Sequence, residues 1–330
     1  MEARPERATI TAAVVSWNTR ELLGRCLSSL RPEAEDGLLD VVVVDNGSTD
    51  GSPALVARDH PWARLIEPGE NLGFGGGANL GAAGAETPWL LIANADVEFR
   101  PGALRWLLAA GDAAPAAGIV APRLLSPDGR GQPIFAFPAL SRTILDMAGL
   151  RRLPSRRVRE WIEYGGRWDR AATQWIEWAM GAALLVRREP FESAGGFDPA
   201  QWMYAEDLDL AWRLWRDGWR TLYVGEAVVE HAAGSSSGQA FSPDAGRTLV
   251  TRAYYDWILR RLGRARFWAI LLVNAAGGWL RRGAFGLLAR LGSDRAAGMH
   301  RRFIVKTRTE WTSAMAARRE GNRRPDAQSA

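Results

Sequence analysis

Four groups of residues in this chain carry more chemistry than a plain globular core needs. Asp45 ends the run VVVVD and is followed by Asn46, Ser48, Thr49 and Asp50, so a buried-looking strand finishes on a cluster of hydrogen-bonding groups. Asn94 and Asp96 follow PWLLIA in the same way; a carboxylate there can hold a hard divalent cation, or it can cap the helix that begins near Pro101. Glu206, Asp207 and Asp209 gather beside Trp202 and Tyr204 at one helix start. Acids are favoured there electrostatically, but three exceed what capping needs, and one can act as a general base. His231 follows VVE and offers either a ligand nitrogen or an ordinary strand-end imidazole.

Two glycine patterns invite other chemistry. NLGFGGGANLGAAG, from Asn71 to Gly84, holds a loose dinucleotide fingerprint, displaced from the first strand where such a fingerprint belongs. It suits either a phosphate held by backbone N–H groups or a close helix crossing. GSSSG, Gly234 to Gly238, matches a nucleophile elbow but leads into QAFSPDAG, which reads as loop and not as the required helix. The lone lysine, Lys306, lies in no Gly-Lys-Ser/Thr phosphate loop, and the lone cysteine, Cys26, excludes a disulfide framework or a cysteine zinc site within one chain. One cysteine suits a reducing compartment.

The elements that must position these groups alternate. ITAAVV and LDVVVV read as buried strands, ARLIE as a short one and PWLLIAN as a fourth. Between them, Leu22, Leu23, Cys26, Leu27 and Leu30 have helical spacing, a helix capped by Ser48 or Thr49 follows the second strand, Ala78 to Ala85 forms a small-residue helix, and Pro101 opens a helix through Ala110. Near-continuous apolar strands separated by helices predict a mostly parallel sheet covered on both faces, with ligands at the carboxyl ends of its strands. LLSPDGRGQPIFAFP reads as loops with a short hairpin, and EWAMGAALLVRREPFESAGGFDP as a strand and a turn. AEDLDLAWRLWRDGW is an amphipathic helix with Leu208, Ala211, Trp212 and Trp215 on its apolar face, and RTLYV a further strand. From Thr248 onward the pattern is helical, basic and rich in tryptophan.

The 330 residues allow one large or two smaller domains, and the amino terminus has no charged-then-apolar leader pattern. From Leu249 to Ala330 there are seventeen basic and five acidic residues, a local charge of +12 in a chain whose net charge is +5, which leaves −7 for residues 1–248. Such asymmetry points to an anionic partner for the last part. The longest apolar stretch, Phe267 to Leu280, is too short to span a bilayer. No recognised nucleic-acid module accompanies the charge.

Taken together and in order, VVSWN, VVVVDNGSTDGS, NLGFGGGANLG, NADV, GAALLVRREPFESAGGFDP, AEDLDLAWRL and EHAAGSS resemble the inverting glycosyltransferases of family 2, over roughly residues 8–235. The closest likeness within the family is to rhamnosyltransferase-like bacterial members of cell-wall and polysaccharide assembly. The resemblance implies the GT-A fold, an α/β architecture with a mostly parallel central sheet, here with a helical carboxyl-terminal extension. It divides the chain into a catalytic domain at 1–247 (donor half about 8–125, acceptor half about 126–247), a basic amphipathic helical extension at 248–317 and a disordered tail at 318–330.

The same resemblance implies roles. Asp45 would accept the N3–H of a uracil or thymine base, with Ser16 lining that pocket and Asn71, Gly73, Asn79 and Asn94 bordering the donor. Asp96 and His231 would bind Mg²⁺ or Mn²⁺; Asn94 replaces the first acid of the family's D-x-D motif, leaving a lighter site. Asp207 would be the catalytic base, with Glu206 beside it, and Glu206, Gly181 and Trp202 would face the acceptor. The implied reaction moves a sugar, such as L-rhamnose, from a dTDP- or UDP-linked donor to a hydroxyl of a glycan or a polyprenyl-diphosphate-linked acceptor, with inversion. The expected location is cytoplasmic, peripheral on the inner face of the membrane. Two alternatives stay open: a dinucleotide-dependent oxidoreductase using the glycine loop, and a non-catalytic nucleotide-sugar-binding scaffold.

Overall fold

The computed structural model describes residues 8–150, 155–232, 243–291 and 293–321. These fall into two compact units: 8–137 with 168–232, and 138–150 with 155–167, 243–291 and 293–321. The linear division at residue 247 differs from this in two respects, since 138–167 joins the carboxyl-terminal helices and so do the described residues 243–247. GSSSG and residues 322–330 lie outside the described residues.

The first unit is built on strands β1 (Ile10–Ser16), β2 (Leu39–Asp45), β3 (Arg64–Ile66) and β4 (Trp89–Asn94), which run parallel in the order β3-β2-β1-β4. Beyond β4 the sheet becomes mixed. β10 (Ala183–Arg187) is antiparallel to β4 and to β6 (Ala117–Leu125), and the long β11 (Arg220–His231) pairs parallel with β6 and antiparallel with β5 (Val97–Phe99) and β8 (Gln174–Ile176). β7 (Ile134–Phe135) and β9 (Trp178–Ala179) form a separate two-stranded antiparallel pair between segments distant in the chain.

Both faces of the parallel part are covered, as its apolar strands require. Ile10, Ala12, Val14 and Val43 share one core with Leu23, Leu27 and Leu30 of α1 (Arg20–Glu35) and with Leu104 and Leu107 of α4 (Ala103–Ala113). The opposite face meets α3 (Gly73–Ala82). A Cβ on Gly77 would lie 2.9 Å from Val15, and one on Gly81 would lie 2.7 Å from Ala13 and 3.1 Å from Val44. The helix therefore starts at Gly73, five residues before the expected Ala78. Close packing offsets the roughly 1 kcal/mol that each glycine costs a helix.

Other differences have similarly local causes. Asp50, and not Ser48 or Thr49, heads α2 (Ser52–Asp59): its Oδ1 accepts from the Ser52 amide at 3.0 Å and hydroxyl at 2.6 Å, while Gly51 at φ +85° makes the turn. Gly102, at φ +80°, delays α4 to Ala103. REPFES, read as a turn, is the short helix α7 (Arg188–Ser193). In α8 (Glu206–Arg216) the buried face is Leu208, Leu210, Ala211 and Leu214; Trp215 is 41% exposed and stacks on Trp212, with ring centroids 5.3 Å apart.

The second unit contains α5 (Leu140–Met147), α6 (Arg156–Tyr164), α9 (Pro243–Trp257), a single π-turn at Ile258–Leu262, α10 (Gly263–Arg290) and α11 (Asp294–Gly321). Helix α11 takes in residues 318–321 of the segment expected to be tail.

α8 is anchored by an ion pair. Asp209 is fully buried, and its Oδ2 accepts from Arg213 Nε at 2.7 Å. The same guanidinium donates to the carbonyls of Ala194 at 2.6 Å and Gly196 at 2.7 Å. Removing the cation takes the charge partner from a buried carboxylate. Arg213→Met is expected to lower unfolding free energy by about 3–5 kcal/mol at neutral pH, measured by urea denaturation; a loss below about 1 kcal/mol would contradict this role.

Candidate functional site

The parallel register sets the first half of the site. Ser16 and Asp45 are paired positions at the ends of β1 and β2, each 1% exposed. Ser16 Oγ lies 3.1 Å from Thr19 Oγ1. Asp45 Oδ1 accepts from the Ser48 amide at 2.7 Å, which curls the following loop, while Oδ2 is buried without a partner. Asn46 is also buried; its Nδ2 donates to the Gly73 carbonyl at 3.0 Å and its Oδ1 has no partner. Buried polar atoms are nearly always satisfied, so orphaned acceptors on two consecutive residues at a strand end are candidates to accept from a ligand.

The loops after β1 and β2 interlock. The Asn18 amide donates to Ser48 Oγ at 2.8 Å, and the Asn18 side-chain oxygen accepts from the Thr49 amide at 2.8 Å. Asn18 sits at φ +51°, a left-handed conformation that asparagine tolerates better than most residues.

The glycine-rich stretch borders Asn46 through the Gly73 carbonyl, but its glycines serve packing. Gly73 is at φ +72°, and a Cβ there would meet the Trp202 carbonyl at 2.1 Å; one on Gly75 would meet Phe197 at 2.9 Å. Asn71 Oδ1 caps the Gly73 amide at 2.9 Å, and Trp202 Nε1 donates to the Asn71 carbonyl at 3.4 Å. Asn79 makes two bonds to the Phe197 main chain, at 2.8 and 2.9 Å, so its amide holds the Gly196–Phe197 turn against α3. Of the two readings of this stretch, the close crossing accounts for Gly75, Gly77 and Gly81, which removes the support for a dinucleotide fingerprint.

Asn94 ends β4, and its amide donates to the Ala182 carbonyl at 2.9 Å. Two residues on, Asp96 meets His231. β5 and β11 pair antiparallel with Val97 opposite His231, and the Ala232 amide donates to the Asp96 carbonyl at 3.0 Å. The two side chains, 7% and 5% exposed, bring His231 Nε2 within 3.4 Å of Asp96 Oδ1. Gln132, which the sequence reading left inside a loop, decides how the imidazole presents itself. Its Nε2 donates to the His231 carbonyl at 3.0 Å, so its Oε1 faces His231 Nδ1 at 2.7 Å. With that amide orientation Nδ1 donates to Gln132, and Nε2 is the ring nitrogen that faces Asp96. A carboxylate oxygen beside an oriented imidazole nitrogen is a donor set that fits a divalent cation. Among the described residues no group of three or more acidic, histidine or cysteine side chains converges, so protein would supply two ligands and the rest must come from elsewhere.

The acid pair heads α8. Tyr204 at φ +64° and Ala205 at φ +62° are consecutive left-handed residues with side chains, a strained entry of about 1–3 kcal/mol each that aims the first turn. Asp207 Oδ2 accepts from the Gly181 amide at 2.8 Å and Oδ1 from the Leu208 amide at 2.7 Å. Glu206 is 9% exposed and its Oε2 has no partner. Burial pushes the Asp207 carboxyl above the usual aspartate range, against those two hydrogen bonds. Burial, and then the charge of Asp207, pushes Glu206 up as well. Two backbone amides favour the charged form of Asp207, whereas Glu206 Oε2 has none, so the two adjacent carboxyls sit in unlike surroundings. Gly181 connects this end to the donor side: Phe74 lies 3.6 Å from where its Cβ would be, and the Ala182 carbonyl holds Asn94. Trp202, beside Gly73, is 47% exposed.

Residues 11–192 match the family model described as Glycosyl transferase family 2. The chain is 34% identical over 245 residues, 70% of this chain and 78% of the other, to N-acetylglucosaminyl-diphospho-decaprenol L-rhamnosyltransferase of Mycobacterium tuberculosis. It is 36% identical over 137 residues, 40% of this chain and 38% of the other, to the succinoglycan biosynthesis protein ExoO of Rhizobium meliloti. Among solved structures it resembles the mannosyltransferase PcManGT of Pyrobaculum calidifontis in complex with GDP-Man and Mn²⁺. The TM-score is 0.57 at 20% identity, covering 95% of this chain and 87% of that one, a likeness of fold. The oxidoreductase alternative, already without its glycine loop, falls with these matches. The chain belongs to glycosyl transferase family 2 and is a glycosyltransferase enzyme.

Proposed function

We propose that this enzyme transfers L-rhamnose from a dTDP- or UDP-linked donor to a hydroxyl of a polyprenyl-diphosphate-linked N-acetylglucosaminyl acceptor, with inversion, at the inner face of the membrane. The single observation that carries the chemistry is the acid pair of α8, with Asp207 held by the Gly181 amide and raised in pKa. The mycobacterial relative's name supports the sugar and the acceptor.

The orphaned Asp45 Oδ2 suits the N3–H that uracil and thymine both present. Asn46, Asn71 and Gly73 continue that wall, and Trp202 stands between it and α8 as an exposed apolar surface for the acceptor. Asp207 removes the proton of the acceptor hydroxyl as its oxygen attacks the anomeric carbon; the bond to the nucleotide's diphosphate breaks on the opposite face. Glu206, protonated, donates a hydrogen bond to the acceptor and adds no repulsive charge. Asp96 and His231, with Gln132 fixing the ring, would hold Mg²⁺ or Mn²⁺. When bound, such a cation neutralises charge developing on the leaving diphosphate. The donor's own phosphates would supply the further ligands that Asn94 does not.

Asp207→Asn keeps shape and removes basicity. It is expected to lower kcat at least about 1,000-fold, roughly 4 kcal/mol of barrier, with nucleotide affinity changed less than about 3-fold. Retention of a tenth of wild-type kcat in a transfer assay with a short-chain acceptor would sink the assignment of Asp207 as the base.

The base must be ionised to work, and its pKa is raised, so activity is lost as pH falls through a value above the ordinary aspartate pKa of about 3.9. A kcat–pH profile should show that raised acid limb, and Glu206→Gln, which copies the protonated acid, should keep it. An acid limb at or below the ordinary value would contradict Asp207 as base.

Asp96→Ala and His231→Ala should each weaken dTDP binding at least about 10-fold in the presence of Mn²⁺ while leaving metal-free binding nearly unchanged. Gln132→Ala should do the same more mildly, since it frees the ring without removing a ligand. Calorimetric titrations that match wild type with Mn²⁺ present would refute the site.

A further inference from the structure

From Leu272 onward, helix α10 is built inside out. The side packed within its own unit carries glycines: a Cβ on Gly277 would lie 2.5 Å from Met147 of α5, one on Gly278 would lie 2.4 Å from Thr307 of α11, and one on Gly286 would lie 3.0 Å from His300. Phe267, Ile270 and Leu271, in the first third of the helix, are buried; beyond them most of the large apolar side chains point the other way. Leu272, Trp279, Leu280, Leu287 and Leu291 are 55%, 59%, 75%, 60% and 75% exposed. Their spacing of seven, one, seven and four residues puts them on one stripe roughly 100–120° wide, with Ala276 and Gly283 filling the gaps. A surface helix in water has the reverse arrangement, and a contiguous exposed apolar stripe marks an interaction face. Arginines flank it: Arg264 and Arg266 at one end, Arg290 at the other, and Arg282 along its edge with its guanidinium 4.7 Å from the Trp279 ring centre. Gly263–Arg290 contains no acidic residue.

We propose that this stripe is the surface by which the enzyme lies on an anionic lipid leaflet, with Leu280, Leu287 and Leu291 entering the acyl boundary, Trp279 at headgroup level and the arginines against lipid phosphates. Charge decides between this occupant and a second copy of the chain. Two copies meeting through α10 would bring arginines face to face, whereas an anionic surface pairs with every one of them. No helix among the described residues is long and apolar enough to cross a membrane, so the contact is interfacial. The stripe names the surface that serves the lipid-linked acceptor, and in that respect rests on the proposed reaction.

The full-length protein should co-sediment with phosphatidylglycerol vesicles at low salt, bind phosphatidylcholine vesicles weakly, and dissociate as salt rises past about 0.2 M, where the screening length falls below about 8 Å. Leu280→Glu/Leu287→Glu should lower the vesicle partition coefficient at least 10-fold while transfer to a short-chain, water-soluble acceptor stays within 2-fold of wild type. If circular dichroism shows that this variant loses helix, Leu272→Gln/Leu291→Gln makes the same test with uncharged side chains. Folded variants that bind vesicles like wild type overturn the proposal, and so does a wild-type dimer, seen by light scattering, that the substitutions break while vesicle binding is absent. Vesicle binding that needs the stripe, in a protein inactive on every rhamnosyl acceptor tried, leaves the proposal standing and removes the proposed reaction alone.

Discussion

The hydrogen bond from the Gly181 amide to Asp207 holds the two halves of the site in one frame. It fixes a carboxylate at the head of α8 to the turn between β9 and β10. The next carbonyl in that turn, Ala182, accepts from Asn94 at the end of β4. Through these two bonds the acid pair is tied to the carboxyl edge of the parallel strands, where Ser16 and Asp45 lie buried. A side chain at position 181 would crowd this arrangement, since a Cβ would stand 3.1 Å from the Asp207 Cβ.

Burial and unequal hydrogen bonding set the two carboxyls of α8 apart. Both are pushed towards the neutral form, but Asp207 has two backbone amides to stabilise its charge and Glu206 Oε2 has no partner. One ion in that space is tolerable and two are not, so the charge settles where the amides are. The left-handed pair Tyr204 and Ala205 is the strained entry that delivers both groups to the same place. Arg213 and Asp209 hold the rest of the helix down behind them.

Across the site, rigidity comes from amides clamping main chain. Gln132 grips both the ring and the carbonyl of His231, Asn79 grips both ends of Phe197, and Asn46 and Asn71 hold Gly73 from either side. A side-chain amide has a donor and an acceptor at fixed spacing, so it can lock a peptide unit that no strand neighbour pairs.

The strands and the polar residues at their ends were legible in the sequence. β-branched runs that stop on an acid or an amide have few alternatives to a buried strand with a polar carboxyl end, and the family match over residues 11–192 agrees with that reading. The acid-rich start of α8 was legible for the same reason: charge at a helix terminus is a local property. Tertiary structure alone decided the rest, because it depends on contacts between residues far apart in the chain. Whether a glycine run cradles phosphate or packs on a strand depends on what faces each missing Cβ, and Ala13, Val15 and Val44 come from other elements. Gln132 lies 99 residues from His231 and belongs to no motif, so nothing local could show it. The outward stripe of α10 was hidden in the same way, since helical periodicity says which residues share a face but not which face the neighbouring helices will cover.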